Sequence, residues 1–247
     1  LQQAQADDRG FRYDRRWMLV TPSGRFLTQR EHPRMALLRP ELRGGSLLIT
    51  YAGQDREPLS LDLAPQGGEA MEVEIWGDRL CCIRPDPLAD AWFSEALGAT
   101  VHLIYMPDEA RRPVDARYAR QGEITSLSDG YPFLILGQAS LDHLNAQLEA
   151  PLPMNRFRPN LVFTGGEAHE EDRWGRFRVG SLQFHAVKPC ARCTITTIDQ
   201  ERGSAGKEPL RTLARYRSEG NKVLFGMNLL HEGPGEVAIG DEILLES

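Results

Sequence analysis

The sequence predicts a mainly β fold with α+β elements, and three observations carry that prediction. Apolar residues fall in many short, strand-length runs rather than in long periodic segments. Glycine and proline, 23 and 16 of 247 residues, punctuate those runs. Few stretches combine helical spacing with a capping residue and a stop.

Composition narrows the class. Hydrophobic residues make up 41% and charged residues 26%, ordinary for a globular chain with a real core. No apolar run approaches the ~18–20 residues of a membrane span. Against 29 Lys+Arg stand 35 Asp+Glu, a net charge of −6, which argues against non-specific nucleic-acid binding. Four cysteines are too few for a disulfide scaffold. The polar opening LQQAQADDRG has no secretory pattern, so a reducing, cytoplasmic setting is expected. The first residue is not Met, so the chain is expected to begin inside a longer one.

In chain order, Trp17–Val20 and Arg25–Thr28 flank Thr21-Pro22-Ser23-Gly24, a type I turn signal, and read as a hairpin. Strands are expected at Ser46–Tyr51, Glu72–Trp76 and Leu80–Arg84, the last two joined through Gly77-Asp78-Arg79. A helix is expected over Leu88–Leu97, capped by Asp86, opened by Pro87 and ended by Gly98. Val101–Met106 reads as a strand. The charged stretch Pro107–Arg120 lacks apolar periodicity and marks a boundary between two halves or a long functional loop. A second helix is expected over Leu141–Leu148 with Ser140 as its cap. Strands follow at Leu161–Phe163, at Phe177–Val187 broken by Gly180-Ser181, and at the β-branched run Thr194–Ile198. A third helix spans about Pro209–Arg217, and Glu236–Leu245 closes as a hairpin around Gly240-Asp241.

The sharpest chemical signal is Lys188-Pro189-Cys190-Ala191-Arg192-Cys193, on an expected loop between strands. Lys188 and Arg192 are cations that favour a thiolate, the reactive and metal-binding form of cysteine. Three readings are open: a redox pair, half of a zinc site, and a single thiolate ligand beside a structural cysteine. Cys81 and Cys82 read as packing residues, and Cys190 as structural. The six histidines are scattered without metal-type pairing and are assigned no role.

Together with Thr196-Thr197-Ile198-Asp199, the Val187–Cys193 stretch resembles the signature of MOSC-domain proteins, the molybdenum cofactor sulfurase C-terminal domain family. The resemblance is to bacterial relatives of the mitochondrial amidoxime-reducing component. It extends through Tyr13-Asp14-Arg15-Arg16-Trp17-Met18, Asp129-Gly130-Tyr131-Pro132-Phe133, Phe157-Arg158-Pro159-Asn160 and Glu171-Asp172-Arg173-Trp174. It also covers Glu208–Leu213 and Phe225-Gly226-Met227-Asn228. These patches run in family order over nearly the whole chain.

The resemblance implies a MOSC β-barrel domain at 111–247, preceded by a smaller β-rich N-terminal domain at 1–110. It implies a molybdenum cofactor (Mo-molybdopterin) whose metal takes one protein thiolate, the catalytic Cys193. Arg15 and Arg158 would hold the cofactor phosphate, because guanidinium forms bidentate bonds with phosphate. Asn160 and Asp129 would meet the pterin, and Ala191 and Arg192 would offer donors beside the metal ligand. Arg158 with Asp129 also suits a plain ion pair, Asn160 a turn, and Glu171-Asp172 with Trp174 a solvated loop with a packing indole. The implied reaction is reduction of a small N-hydroxylated substrate. Its electrons would come from a separate donor protein of flavodoxin, ferredoxin or reductase type. The alternative is a cofactor or sulfur carrier without turnover. Neither pyridoxal phosphate nor an iron–sulfur cluster is expected, the latter for want of a Cys₄ set. Nucleic acid and membrane are not expected partners. Two departures concern the site: the family's N-terminal strand and Pro-Val-Lys-Ser loop have no counterpart in the sequence, which is expected to start just after them, and Met227 stands where many relatives have Gln, expected to alter the substrate pocket.

Overall fold

A computed structural model describes residues 2–246 as two compact units. One comprises the chain up to Arg12, Pro113–Thr197 and the chain from Lys207 onward; the other comprises Tyr13–Arg112 and Ile198–Gly206. Strands dominate both, as the sequence predicts. Two short segments pack away from their sequence neighbours. Gln3–Asp7 pairs with Gly235–Ala238, and the Ile198–Asp199/Ser204–Ala205 hairpin packs by the 3₁₀ helix Pro33–Leu37.

The unit containing both termini is built on a sheet ordered Leu161–Phe163, Phe133–Gly137, Lys222–Glu232, Leu182–Ala191, Arg176–Val179, Ile243–Glu246. Only the pairing of Leu161–Phe163 with Phe133–Gly137 is parallel within it. Arg176–Val179 shows why these runs form strands: Phe177 and Val179 are buried while Arg176 and Arg178 face outward, the period-2 pattern of a half-buried strand. Phe133 meets Phe184 edge-on at 5.2 Å, and Phe184 stacks on Phe177 at 5.5 Å. Burying each such ring stabilises the fold by roughly 1.5–3 kcal/mol. Met227 lies in this core at 4% exposure.

Leu182–Ala191 and Lys222–Glu232 form the long antiparallel ladder of this sheet, with register shifts between Ala186 and Lys188 and between Pro189 and Ala191. Bulges of this kind tolerate proline and glycine. Pro189 borders the second shift, and Gly226, at φ +80°, lies within it on the facing strand. A Cβ at Gly226 would lie 2.9 Å from the Ile135 carbonyl oxygen.

The other unit holds a sheet ordered Trp17–Val20, His102–Tyr105, Asp78–Arg84, Glu69–Ile75, and a second one of Leu38–Arg43, Ser46–Tyr51 and Leu59–Asp62. The helix Pro87–Leu97 lays Ala89 and Phe93 on a core of Leu19, Ile49, Leu61 and Leu103. Its ends match expectation: Asp86 accepts from Leu88 N–H at 2.8 Å, and Gly98 closes it at φ +67°.

The Trp17–Val20/Arg25–Thr28 hairpin forms in short form: Gly24 N–H donates to the Thr21 carbonyl at 2.9 Å, Thr21 N–H to the Arg25 carbonyl at 2.8 Å and Leu27 N–H to the Leu19 carbonyl at 2.8 Å, with Phe26 bridging to Val20. Trp17–Val20 also pairs with His102–Tyr105. Several other expectations fail for physical reasons. Glu69–Ile75 and Asp78–Arg84 turn through Trp76-Gly77, both at positive φ, not through Gly77-Asp78-Arg79. The second helix runs Gln138–Asn145 and is capped at Gly137, because the Ser140 hydroxyl donates to Glu171. Leu210–Leu213 alone is α-helical in the third. The C-terminal strands do not pair with each other: Gly235–Ala238 joins Gln3–Asp7 while Ile243–Glu246 joins Arg176–Val179.

Gly226→Ala is expected to destabilise by about 1–3 kcal/mol, from a strained φ and the clash with the Ile135 carbonyl. A thermal melt checks it: the midpoint falls by several degrees, and an unchanged midpoint contradicts the bulge argument.

Candidate functional site

The Cys-x-x-Cys motif occupies the end of the Leu182–Ala191 strand rather than a loop, with Cys190 in the strand and Cys193 just past it. The next run is not a strand. Thr194–Thr197 is a 3₁₀ helix, because threonine hydroxyls bond back to the chain. Thr196 donates to the Cys193 carbonyl through N–H at 3.2 Å and Oγ1 at 3.0 Å, and Thr197 Oγ1 donates to the Thr194 carbonyl at 2.7 Å. All four cysteines are free thiols; Cys190 and Cys193 are half-buried, Cys81 exposed and Cys82 buried. Burial pushes the Cys82 thiol up to about 12, which keeps it protonated.

Arg192 links two parts of this unit. Its guanidinium donates to the Phe157 carbonyl at 2.7 Å and approaches Cys190 Sγ at 3.0 Å, 5.6 Å from the centre of the Phe157 ring. Its backbone N–H donates to the Val223 carbonyl at 2.8 Å. The Phe157–Asn160 segment is thereby joined to the thiol strand. Arg158 follows at φ +55° with its side chain exposed, and Asn160 is clamped to Leu134. Asn160 Oδ1 accepts from Leu134 N–H at 3.0 Å, and its own N–H donates to the Leu134 carbonyl at 2.9 Å. The side-chain oxygen of Asn160 is therefore engaged in holding the strand.

Ala191 is exposed at the end of the thiol strand. Asp129 is exposed on a turn that follows the buried run Ile124–Ser128, in which Thr125 and Ser128 hydroxyls bond at 2.6 Å. Lys188 holds its ammonium 4.7 Å over the Tyr118 ring and 5.8 Å from Tyr131. Arg15 belongs to the other unit, where it sits at φ +51° paired with Asp14.

The Glu171 region is not a solvated loop. Glu171 is fully buried and accepts from the Ser140 hydroxyl at 2.9 Å and from Gly137 N–H at 3.3 Å. Burial raises its pKa above the ordinary 4.5. Asp172 pairs with Arg217, and Trp174 packs on Phe163 and Phe177 at 4.5 and 5.1 Å. Sequence reading missed the buried hydroxyls of Thr125, Ser126 and Ser128 and the Lys188–Tyr118–Tyr131 cluster. The run Thr125-Ser126-Leu127-Ser128 before Asp129 was the available signal for the first.

The donor set suits a particular kind of group. Among the described residues, no three His, Cys, Asp or Glu side chains gather to share a metal, so the four-ligand zinc reading has no geometry behind it. The half-buried Cys190 and Cys193 thiols, with the Arg192 guanidinium on Cys190, fit an anionic group bound through one soft sulfur. Arg192 Nε adds to this fit: it is buried without a hydrogen-bond partner, a donor awaiting an acceptor.

The family described as MOSC domain matches residues 123–244, and that described as MOSC N-terminal beta barrel domain matches 1–100. Mouse mitochondrial amidoxime-reducing component 1 is 30% identical over 261 residues, covering 98% of this chain and 76% of its own. The human protein of that name is 31% identical, covering 94% of this chain and 72% of its own. Rice molybdenum cofactor sulfurase is 31% identical over 90% of this chain, which spans 29% of its length.

Glu171 generates a pH prediction. A carboxyl whose folded pKa is raised binds its proton more tightly in the folded state than in the unfolded one. Its stabilising contribution is present below 4.5 and is lost as pH rises through the folded value. Glu171→Gln removes that loss, so melting temperature should fall less from pH ~5 to pH ~7 in the variant than in the parent. Parallel pH profiles would contradict the buried-charge account.

Proposed function

This chain belongs to the MOSC-domain family, and from that premise we propose that it is a molybdenum-cofactor-dependent oxidoreductase reducing N-hydroxylated compounds. A separate protein of flavodoxin, ferredoxin or reductase type delivers the electrons, and the reaction runs in the cytoplasm. Residues 1–110 form the N-terminal β-rich domain and 111–247 the MOSC domain.

The observation that carries the reading is the Arg192 clamp. It ties the thiol strand to the Phe157–Asn160 segment and keeps a buried N–H without a partner on the guanidinium that touches Cys190. When bound, the molybdenum cofactor supplies two electrons which, with two protons, convert N–OH to N–H and water. The residues supply placement. Cys193 offers the thiolate to the metal, and its carbonyl, tied to Thr196, fixes the turn that presents it. Arg158 holds the phosphate from a left-handed backbone position. Asn160 and Asp129 orient the pterin. Arg192 and the backbone at Ala191 donate beside the metal ligand, and the Arg192 charge offsets that of the thiolate.

A second reading is supported by the 31% identity to the rice cofactor sulfurase: a cofactor or sulfur carrier that uses the same residues without turnover. Chain produced in a cofactor-competent host separates the two. The enzyme reading expects near-stoichiometric molybdenum and steady N-hydroxyl reduction with a chemical or protein donor; the carrier reading expects metal without turnover. Cys193→Ala is expected to lose most of the metal and at least about tenfold in activity. Retained molybdenum and full activity in that variant would overturn the assignment.

A further inference from the structure

The histidines look scattered in the sequence, but two of them meet in the fold. His143 is exposed on the helix Gln138–Asn145, and His169 precedes the 3₁₀ helix Glu170–Arg173. Their rings lie 5.3 Å apart at 81°, with Tyr216 5.4 Å from His143 and 5.8 Å from His169. Edge-to-face packing accounts for those ring positions. It does not account for the nitrogens. Both Nδ1 and Nε2 of His169 are buried without a hydrogen-bond partner. A neutral imidazole carries one donor and one acceptor, so neither is satisfied. The Tyr216 hydroxyl and Asp172 Oδ1 are also buried without a hydrogen bond of ordinary geometry. Unsatisfied polar atoms so close together call for an occupant.

The separation has its own meaning. Two imidazoles sharing a tetrahedral ion, each with a metal–nitrogen bond of about 2.0–2.1 Å, place their ring centres about 5.2 Å apart. The observed 5.3 Å matches that value. His169 is held there by its backbone, at φ +64° with its N–H donating to Ser140 Oγ at 2.8 Å and its carbonyl accepting from Asp172 N–H at 3.1 Å.

We propose that His143 and His169, completed by the Tyr216 phenol and solvent, bind a late first-row divalent ion of the nickel, copper(II) or zinc class. Imidazole and phenol oxygen suit these borderline ions, and no cysteine takes part. The site is independent of the molybdenum reading and stands if that reading fails.

Cobalt(II), a spectroscopic stand-in for zinc, tests it on the full chain. The expected result is a visible d–d band saturating near one equivalent, without sulfur-to-metal charge transfer, and unchanged in Cys193→Ser. His143→Ala and His169→Asn should each weaken binding by at least about tenfold. The first alters an exposed helix position, and the second keeps a residue that tolerates the left-handed backbone. The absence of a band overturns the proposal, as does a band that survives both histidine variants or disappears in Cys193→Ser.

Discussion

The unit that carries the thiols depends on one ladder, Leu182–Ala191 against Lys222–Glu232. An unbroken antiparallel pairing would continue the alternation of faces to the strand's end and leave the Cys-x-x-Cys motif on a regular edge. The two register shifts break that regularity, and the second brings together two residues that a strand interior otherwise rejects, Pro189 and Gly226. Beyond the second shift the chain leaves the ladder, and Arg192 turns toward the Phe157 carbonyl while its backbone stays tied to Val223. The aromatic core beneath, Phe133, Phe177 and Phe184, anchors the regular part of the same strands. Regular packing at one end of the strand and deliberate irregularity at the other together position the chemistry.

Buried polar groups give the neighbouring region its shape. Glu171 enters the interior without a cation, and its charge is met by the Ser140 hydroxyl and the Gly137 N–H. That arrangement ties the Glu170–Arg173 turn to the start of the Gln138–Asn145 helix, and the same Ser140 oxygen accepts the His169 N–H. A helix capped by its own serine would have left both the carboxylate and the histidine without those bonds.

What could be read from sequence follows the range of the forces involved. The Pro87–Leu97 helix was legible because Asp86, Pro87 and Gly98 act within one turn of its ends. The strand pair around Gly180-Ser181 was legible for the same reason. Thr194–Thr197 was misread because β-branched propensity loses to hydroxyls that find nearby carbonyls. The C-terminal hairpin was misread because Gly240 sits between two strands that belong to different sheets, and partner choice in a sheet is non-local. The site divides in the same way. The Cys-x-x-Cys motif stands out in the chain, whereas the Arg192 clamp on Phe157, the buried Glu171 and the His143–His169 pair exist only once distant segments meet.

The functional account rests on a division of labour between the two cysteines. Cys190 lies within the strand and touches Arg192, while Cys193 lies beyond it on the capped turn. Molybdenum K-edge X-ray absorption on the cofactor-loaded chain addresses that division directly. The account predicts one protein sulfur beyond the cofactor's own sulfurs, present both in the parent and in Cys190→Ser. A shell with only the cofactor's sulfurs, or an extra sulfur that vanishes in Cys190→Ser, would contradict it.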